Sequence, residues 1–415
     1  MPEDITVLMS DDHPSVPTLV QRLETGELRL HDLEGVVDHE TAGEVRRQFL
    51  RAQTGIDTSP IEEYSFDPAS VDANIENFIG TAQIPMGIVG PLTVRGSLRD
   101  RSVYMPLATT EGALLASVNR GCSVIEAAGG ATARVIESGM TRAPVFAIEN
   151  VAETVDVIEW ITSHEQDIIE RAEATTAHGK LRSIDPYVVG DNLFLRFRYD
   201  TKDAMGMNMV TIATRAACDL IETETTAELV ALSGNLCTDK KPAAINAIEG
   251  RGRTVVADVT IPQSIVVDRL HTTPAAIETV NTRKNLIGSA KAGSLGFNAH
   301  ASNIIAAAFL ATGQDAAQVV EGANTITAVT ARDDDLYVSV SLASLEVGTV
   351  GGGTQLPTQG VGLDLLDVRG GGDPPGSNAD ALAEIIAAAV LAGELSLLAA
   401  LASRHLSSAH EELGR

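Results

Sequence analysis

Residues 186–200 read PYVVGDNLFLRFRYD. Two runs rich in branched and aromatic residues flank Gly190-Asp191, which predicts a pair of strands around a tight turn. Residues 152–174 ahead of them have helical spacing, and residues 207–231 behind them return to helix. Strands and helices in this order predict a compact α+β unit over 144–230. Its flanks differ in character, so it reads as an insertion in a larger domain.

Further out, ENFIGTAQIPMGIVGPL (76–92) reads as buried loop and strand. Thr109 and Thr110 precede the apolar-periodic run EGALLASVNRGCSVIEAAGG, which predicts a helix capped by threonine with Glu111 near its N-terminus. Beyond residue 250 come a strand over Thr254–Ile261, a helix opening at Thr273-Pro274 and another over 298–312. A strand series then ends in glycines at 348–354, and Asn378 or Asp380 caps an Ala-rich helix reaching about 403.

Composition narrows the function classes. The net charge of -26 repels nucleic acid and anionic membrane, so neither is expected as a partner. Only six of the 30 basic residues are lysines, and the acids are spread along the chain, as on a surface built for high salt. Cys122, Cys218 and Cys237 show no metal-ligand spacing and suit a reducing compartment, so no metal site is expected. The most apolar segment, 385–393, lies between Glu384 and Glu394, short of the roughly 18 residues a membrane helix needs. A soluble, cytoplasmic protein is expected.

Against that scarcity, Lys240 and Lys241 stand side by side in LSGNLCTDKKPAAINAIEGRG (232–252). With Asp239 they could bind a carboxylate and polarise a carbonyl, or simply form a solvated turn; chemistry alone leaves the two readings even. Glu111 suits a first-turn acid, and a proton-donating role would need burial or a second acid such as Asp315. His300 and His410 are candidate catalytic histidines, each with a bland alternative. The glycine runs at 288–296 and 348–354, and DAMGMNM (203–209), do not fit the dinucleotide fingerprint of a Rossmann site.

Taken together, these segments resemble the 3-hydroxy-3-methylglutaryl-coenzyme A (HMG-CoA) reductase family, in its biosynthetic class I and a soluble, salt-adapted archaeal form. The matching motifs are ENFIGTAQIPMGIVGPL, PLATTEGALLASVNRGCSVI, DAMGMNM, SGNLCTDKKPAAINAIEGRG, NLIGSAKAGSLGFNAHASNI, GQDAAQ, VGTVGGGT and AGELSLLAALASRHLSSAH, in the family's order from about 76 to 410. A form without the animal members' membrane anchor and their longer phosphorylated tail is therefore expected.

The resemblance implies reduction of HMG-CoA to mevalonate and coenzyme A with two NADPH, in isoprenoid biosynthesis. It implies an α+β fold with a large, mostly helical substrate domain (61–143 and 231–415), an inserted small ferredoxin-like NADP(H) domain (144–230) and an N-terminal helical region (1–60). Four residues match catalytic positions: Lys240 for the oxyanion, Glu111 as proton donor, Asp315 in their network, and His410 protonating the coenzyme A thiolate. Arg142, Ser233, Asp239, Lys241, Lys284 and Asn303 match positions around the hydroxymethylglutaryl group, and His300 matches a site histidine. Asn119 and Arg120 match a coenzyme A-facing stretch. Asp203, Met205, Gly206, Met207 and Asn208, with Gly351 and Gly352, match the dinucleotide site.

One departure stands out. Where animal members use a serine–arginine pair for the 2′-phosphate, this chain reads ATTAHGKLRS (174–183), leaving His178, Lys180 or Arg182 for that task. The resemblance also implies a homodimer or homotetramer with its active site at the subunit interface and ENFIG as a contact segment. Two rival readings are an NAD-dependent degradative enzyme, against which TDKKPAAIN argues, and a non-catalytic acyl-CoA binder, which would need a lost catalytic position.

Overall fold

The computed structural model describes residues 14–413, with side chains to Ser403. Residues up to Ile84, with Leu356–Thr358, form one compact unit. Its helices Val16–Glu24 and His39–Thr54 close on Leu19, Leu23, Leu33, Ala42 and Val45. Asp38 caps the second helix through the Thr41 N–H, and Gly55 ends it in the left-handed conformation. Arg46, almost fully buried, donates to the carbonyls of Leu30 and Phe78, while Arg47 donates to that of Ile79. The ENFIG segment is thereby strapped to that helix.

The remaining chain forms a second unit built on ten strands. They are β1 (Met86–Arg95), β2 (Asp100–Ala108), β3 (Ala131–Arg142), β4 (Val145–Ala147), β5 (Lys180–Val189), β6 (Asn192–Asp200), β7 (Glu228–Ala231), β8 (Arg251–Ile261), β9 (Thr325–Arg332) and β10 (Asp335–Leu345). The main path runs β7-β4-β6-β3-β8-β10-β9, with β1, β2 and β5 off it. The expected hairpin is β5–β6, turning at Gly190 with φ 62°. Pro186 fits because β5 pairs with β6 alone and is an edge strand.

Strand β3 joins two cores. Its residues Thr132–Gly139 pair with β8, and Met140–Arg142 pair with β6. On the β6 side, Phe146, Leu193, Leu195 and Phe197 pack with Val210, Ala213, Ala217 and Ile221 of the helix Met207–Glu224. On the β8 side, the larger core gathers β1, β2, β8 and β10 around the helices Leu114–Ala127, Ala301–Thr312 and Ser377–Leu413. The fold is α+β.

The C-terminal helix corrects an expectation. It runs to Leu413 rather than about 403, and Ser377–Ser403 is by length and composition apolar enough to cross a membrane. Glu384 and Glu394 do not bound that segment because both are buried with partners. Glu384 accepts from Ser97, and Glu394 accepts from the N–H groups of Ala299 and His300 and from Thr327 Oγ1. Since 83% of the apolar window is buried inside the protein, its hydrophobic faces serve the core.

Gly121 lets the helix Leu114–Ala127 approach this one, since a methyl group there would overlap the Ala392 carbonyl. Gly121→Ala gains roughly 1 kcal/mol of helix propensity, so the sign of its effect separates propensity from packing. Denaturant titration in high salt is expected to show a loss of roughly 1–3 kcal/mol, the usual range for overpacking. A gain would contradict the close approach.

Candidate active site

The loop after β7 is held in a costly conformation. Asn235, Thr238 and Lys240 have φ of 64°, 56° and 58°, where a non-glycine residue costs on the order of 1 kcal/mol or more. Several contacts offset that strain. The Gly234 N–H donates to the Ala143 carbonyl at 2.7 Å, and the Lys241 N–H to that of Thr238 at 3.2 Å. The Lys240 N–H donates to a Glu321 oxygen.

This backbone sets the side chains. Lys240 Nζ lies 2.8 Å from Asp315 Oδ2, an ion pair only partly exposed. The Asp315 hydrogen bond raises the Lys240 pKa above its ordinary value against the opposing pull of burial, so the ammonium is kept charged. Asp315 also caps the turn 316–318 through the Ala317 N–H. Lys241 Nζ donates to the Asp239 carbonyl. Asp239 Oδ1 accepts from Arg251 Nη2 at 3.1 Å and from Gln318 Nε2 at 3.0 Å.

A second group forms around Glu111, which is exposed. The helix begins only at Leu114, behind a left-handed Ala113, so Glu111 lies in the preceding turn and not in the first helical turn. Thr109 Oγ1 accepts from the Glu111 N–H and caps that turn rather than the helix. Asn303 Nδ2 donates to Glu111 Oε1 at 3.2 Å and approaches His300 Nδ1 at 3.5 Å. His300 Nε2 meets the Gly393 carbonyl at 2.9 Å, which makes Nε2 the protonated nitrogen and Nδ1 an acceptor. Among the described residues, no hydrogen bond or ion pair joins Glu111 to Lys240 or Asp315.

The expected cofactor segments lie side by side. The Thr349 N–H donates to the Asp203 carbonyl at 2.8 Å, and Ala204 bridges Val350. Gly348 is required there, because a Cβ would lie 3.0 Å from the Ala204 carbonyl carbon and closer still to the Met205 nitrogen. Gly206, at φ 92°, opens the helix Met207–Glu224 with no side-chain cap on its first N–H groups. Met205 is half-buried and Asn208 exposed, while Gly351 and Gly352 take φ of 75° and 54° beside open space. Asp203 is an anchor. Its buried carboxylate accepts the N–H groups of Gly372, Gly376, Asn378 and Ala379 and so is already saturated.

Residues 42–415 match the protein family described as hydroxymethylglutaryl-coenzyme A reductase. The chain belongs to this family. It is 64% identical over 398 residues to the 3-hydroxy-3-methylglutaryl-coenzyme A reductase of Haloferax volcanii, covering 96% of this chain and 99% of that protein. It is 65% identical to that of Halobacterium salinarum, covering 96% and 98%. Among solved structures it is similar to the class II reductase of Streptococcus pneumoniae bound to NADPH, with a TM-score of 0.65 at 20% identity, over 90% of this chain and 100% of that one. At that identity the likeness speaks for the fold. Family membership makes the chain an oxidoreductase acting on HMG-CoA in the mevalonate pathway.

The other expected residues fall as follows. Arg142 ends β3, and its Nε is buried with no hydrogen-bond partner among the described residues. Ser233 Oγ faces Cys237 Sγ at 3.4 Å. Lys284 is exposed on a widened helical turn, Asn281–Gly288, and touches Asn285. Asn119 accepts the Gly90 N–H, and Arg120 binds Ser396 on the C-terminal helix. His410 lies on that same helix, its side chain outside the described ones.

Sequence reading missed Arg251, Gln318, Glu321 and Glu346. Arg251 is fully buried and binds Glu321, Glu346, Gln318, Asp239 and the sulfur of Met207. The signal was present in EGRG, where Gly252, at φ 70°, passes so close that a Cβ would lie 2.7 Å from the Leu345 carbonyl oxygen.

With six lysines, selectively labelled lysine gives a spectrum simple enough to titrate by NMR. Removing the Asp315 partner in Asp315→Asn is expected to lower the Lys240 pKa. Its resonance would then titrate at lower pH than in the unmodified protein. An unmoved titration would contradict the ion pair's role.

Proposed function

We propose that the chain is a class I, NADPH-dependent reductase that converts HMG-CoA to mevalonate and coenzyme A in two successive reductions. The observation that carries this is Lys240, held in a left-handed backbone with its ammonium 2.8 Å from Asp315. A thioester carbonyl placed against Lys240 would develop its negative charge beside a fixed cation, where such a charge is most effective. Asp315 keeps the cation charged. Glu111, oriented by Asn303, is suited to pass a proton to the reduced oxygen.

The substrate's free carboxylate fits Arg142, whose buried Nε lacks a partner among the described residues, with Lys241, Lys284 and Ser233 as further donors. Asn119 and Arg120 would face the coenzyme A portion. His410 would protonate the departing thiolate.

NADPH, when bound, supplies the hydride for each reduction. The residues present fit such a dinucleotide. The uncapped N-terminus at Gly206 suits a pyrophosphate, and Met205, Met207, Asn208, Gly351 and Gly352 line the same neighbourhood while Asp203 holds it in place. Lys180 pairs with Glu173, and Arg182 with Asp200, while the His178 side chain makes no hydrogen bond or ion pair among the described residues. A 2′-phosphate would have to draw Lys180 or Arg182 from its acid or use His178. On this reading, the core around β4–β7 is the ferredoxin-like NADP(H) domain, and the enzyme is a cytoplasmic homodimer or homotetramer with its site between subunits.

Lys240→Ala and Glu111→Gln test the roles. Each is expected to retain folding and HMG-CoA binding while losing on the order of 10²–10³ in kcat, the usual cost of a removed oxyanion or proton-transfer group. NADPH oxidation with HMG-CoA in high salt is the assay, and near-normal turnover in either variant would contradict the assignment. Comparing NADPH with NADH at equal concentration checks the class: NADPH is expected to support the faster reaction, and a preference for NADH would favour the degradative type.

A further inference from the structure

Beneath the substrate loop lies a pair of carboxyl groups with no role in the chemistry above. Glu321 and Glu346 are both 0% exposed. Glu321 accepts four hydrogen bonds from three donors: the Lys240 N–H, Asn246 Nδ2 at 3.0 Å, and Arg251 Nη1 to each of its oxygens at 2.9 and 3.0 Å. Glu346 takes one, Arg251 Nη1 on Oε1 at 3.3 Å. Its Oε2 is buried and accepts no hydrogen bond among the described residues. An ionised oxygen left so would cost several kcal/mol, whereas a hydroxyl there needs an acceptor, and Glu321, held by the same Arg251 Nη1, is the neighbouring carboxylate.

We propose that Glu346 is a positioning residue for the reduction: as the proton donor of a buried carboxyl–carboxylate pair, it fixes the Glu321 oxygens that hold the Lys240 backbone. This rests on the reading of Lys240 as the oxyanion-binding residue. The charged groups facing the pair are Arg251 from β8 and Asp239 and Lys240 from the substrate loop, with Asp315 behind Lys240. Asn246 and Gln318 are its neutral neighbours. With Glu346 protonated, Arg251 faces two carboxylates, Glu321 and Asp239. Deprotonation would add a third in the same dry space.

Burial, and then the neighbouring Glu321, raise the Glu346 pKa well above the ordinary carboxyl value. The proton is therefore held at neutral pH and given up only as pH rises. Its loss would repel Glu321 and loosen the Lys240 backbone, giving kcat an alkaline limb.

Glu346→Gln keeps a donor and cannot ionise, while Glu346→Leu removes the donor. At neutral pH the Gln variant is expected to keep kcat within about threefold, and the Leu variant to lose about tenfold or more, the scale of one lost hydrogen bond to a charged group. In kcat against pH, the Gln variant should hold its activity further into the alkaline range than the unmodified enzyme. Equal losses in both variants, or superimposable alkaline limbs, would overturn the proposal.

An infrared difference spectrum of the unmodified protein against Glu346→Gln at neutral pH reads the proton without any turnover. A carbonyl band of a protonated buried carboxyl, lost in the variant, is expected, and its absence overturns the proposal. Should the unmodified protein fail to reduce HMG-CoA, the function reading fails, and the infrared band still decides the protonation of the pair. If the Leu variant does not fold, the Gln comparison and the infrared band remain decisive.

Discussion

A guanidinium with no exposed surface stands where the functional segments meet. Arg251 reaches Asp239 in the substrate loop, Gln318 and Glu321 beyond Asp315, Glu346 ahead of the glycine loop, and Met207 in the dinucleotide motif. A charge removed from water costs several kcal/mol unless its partners are well placed. Burial opposes ionisation of Arg251, but the acidic groups around it more than offset that, so its pKa is raised and it stays charged. None of these segments can shift without leaving a buried charge uncompensated. The substrate loop, the cofactor motif and the turn bearing Asp315 therefore share one geometry.

The same economy appears at the cofactor motif. Asp203 spends its carboxylate on four backbone N–H groups at the start of the C-terminal helix. Arg253, one strand position pair beyond Arg251, donates to the Lys202 and Val347 carbonyls and binds Asp380. Buried charges thus hold irregular backbone in place, leaving strained residues such as Lys240 to present their side chains.

The hairpin at 186–200 was legible because turn chemistry and branched residues agreed locally. The helix opening at Thr273-Pro274 was legible for the same reason, and Thr273 does cap it through the Ala276 N–H. The start of the helix behind Glu111 was not, because the left-handed Ala113 delays it and no local propensity favours alanine there. The apolar span of the C-terminal helix was underestimated because Glu384 and Glu394 look like polar boundaries until their distant partners are known. In the site, Lys240 and Asp315 were named from the sequence, and the structure pairs them. The Arg251 network was missed because its partners lie 12 to 95 positions apart, where no local pattern reports them.

The lysine economy also gains a physical content. Lys180, Lys202 and Lys240 are each paired with an acid, and Lys240, Lys241 and Lys284 stand at positions assigned to the proposed substrate site. Arg251 ties the segments of the site together, and hydrogen exchange in Arg251→Lys tests this most directly. Segments 203–209, 237–241 and 346–350 are expected to lose protection together while the β5–β6 hairpin keeps its own. Faster exchange in only one of the three segments, or uniformly along the chain, would contradict it.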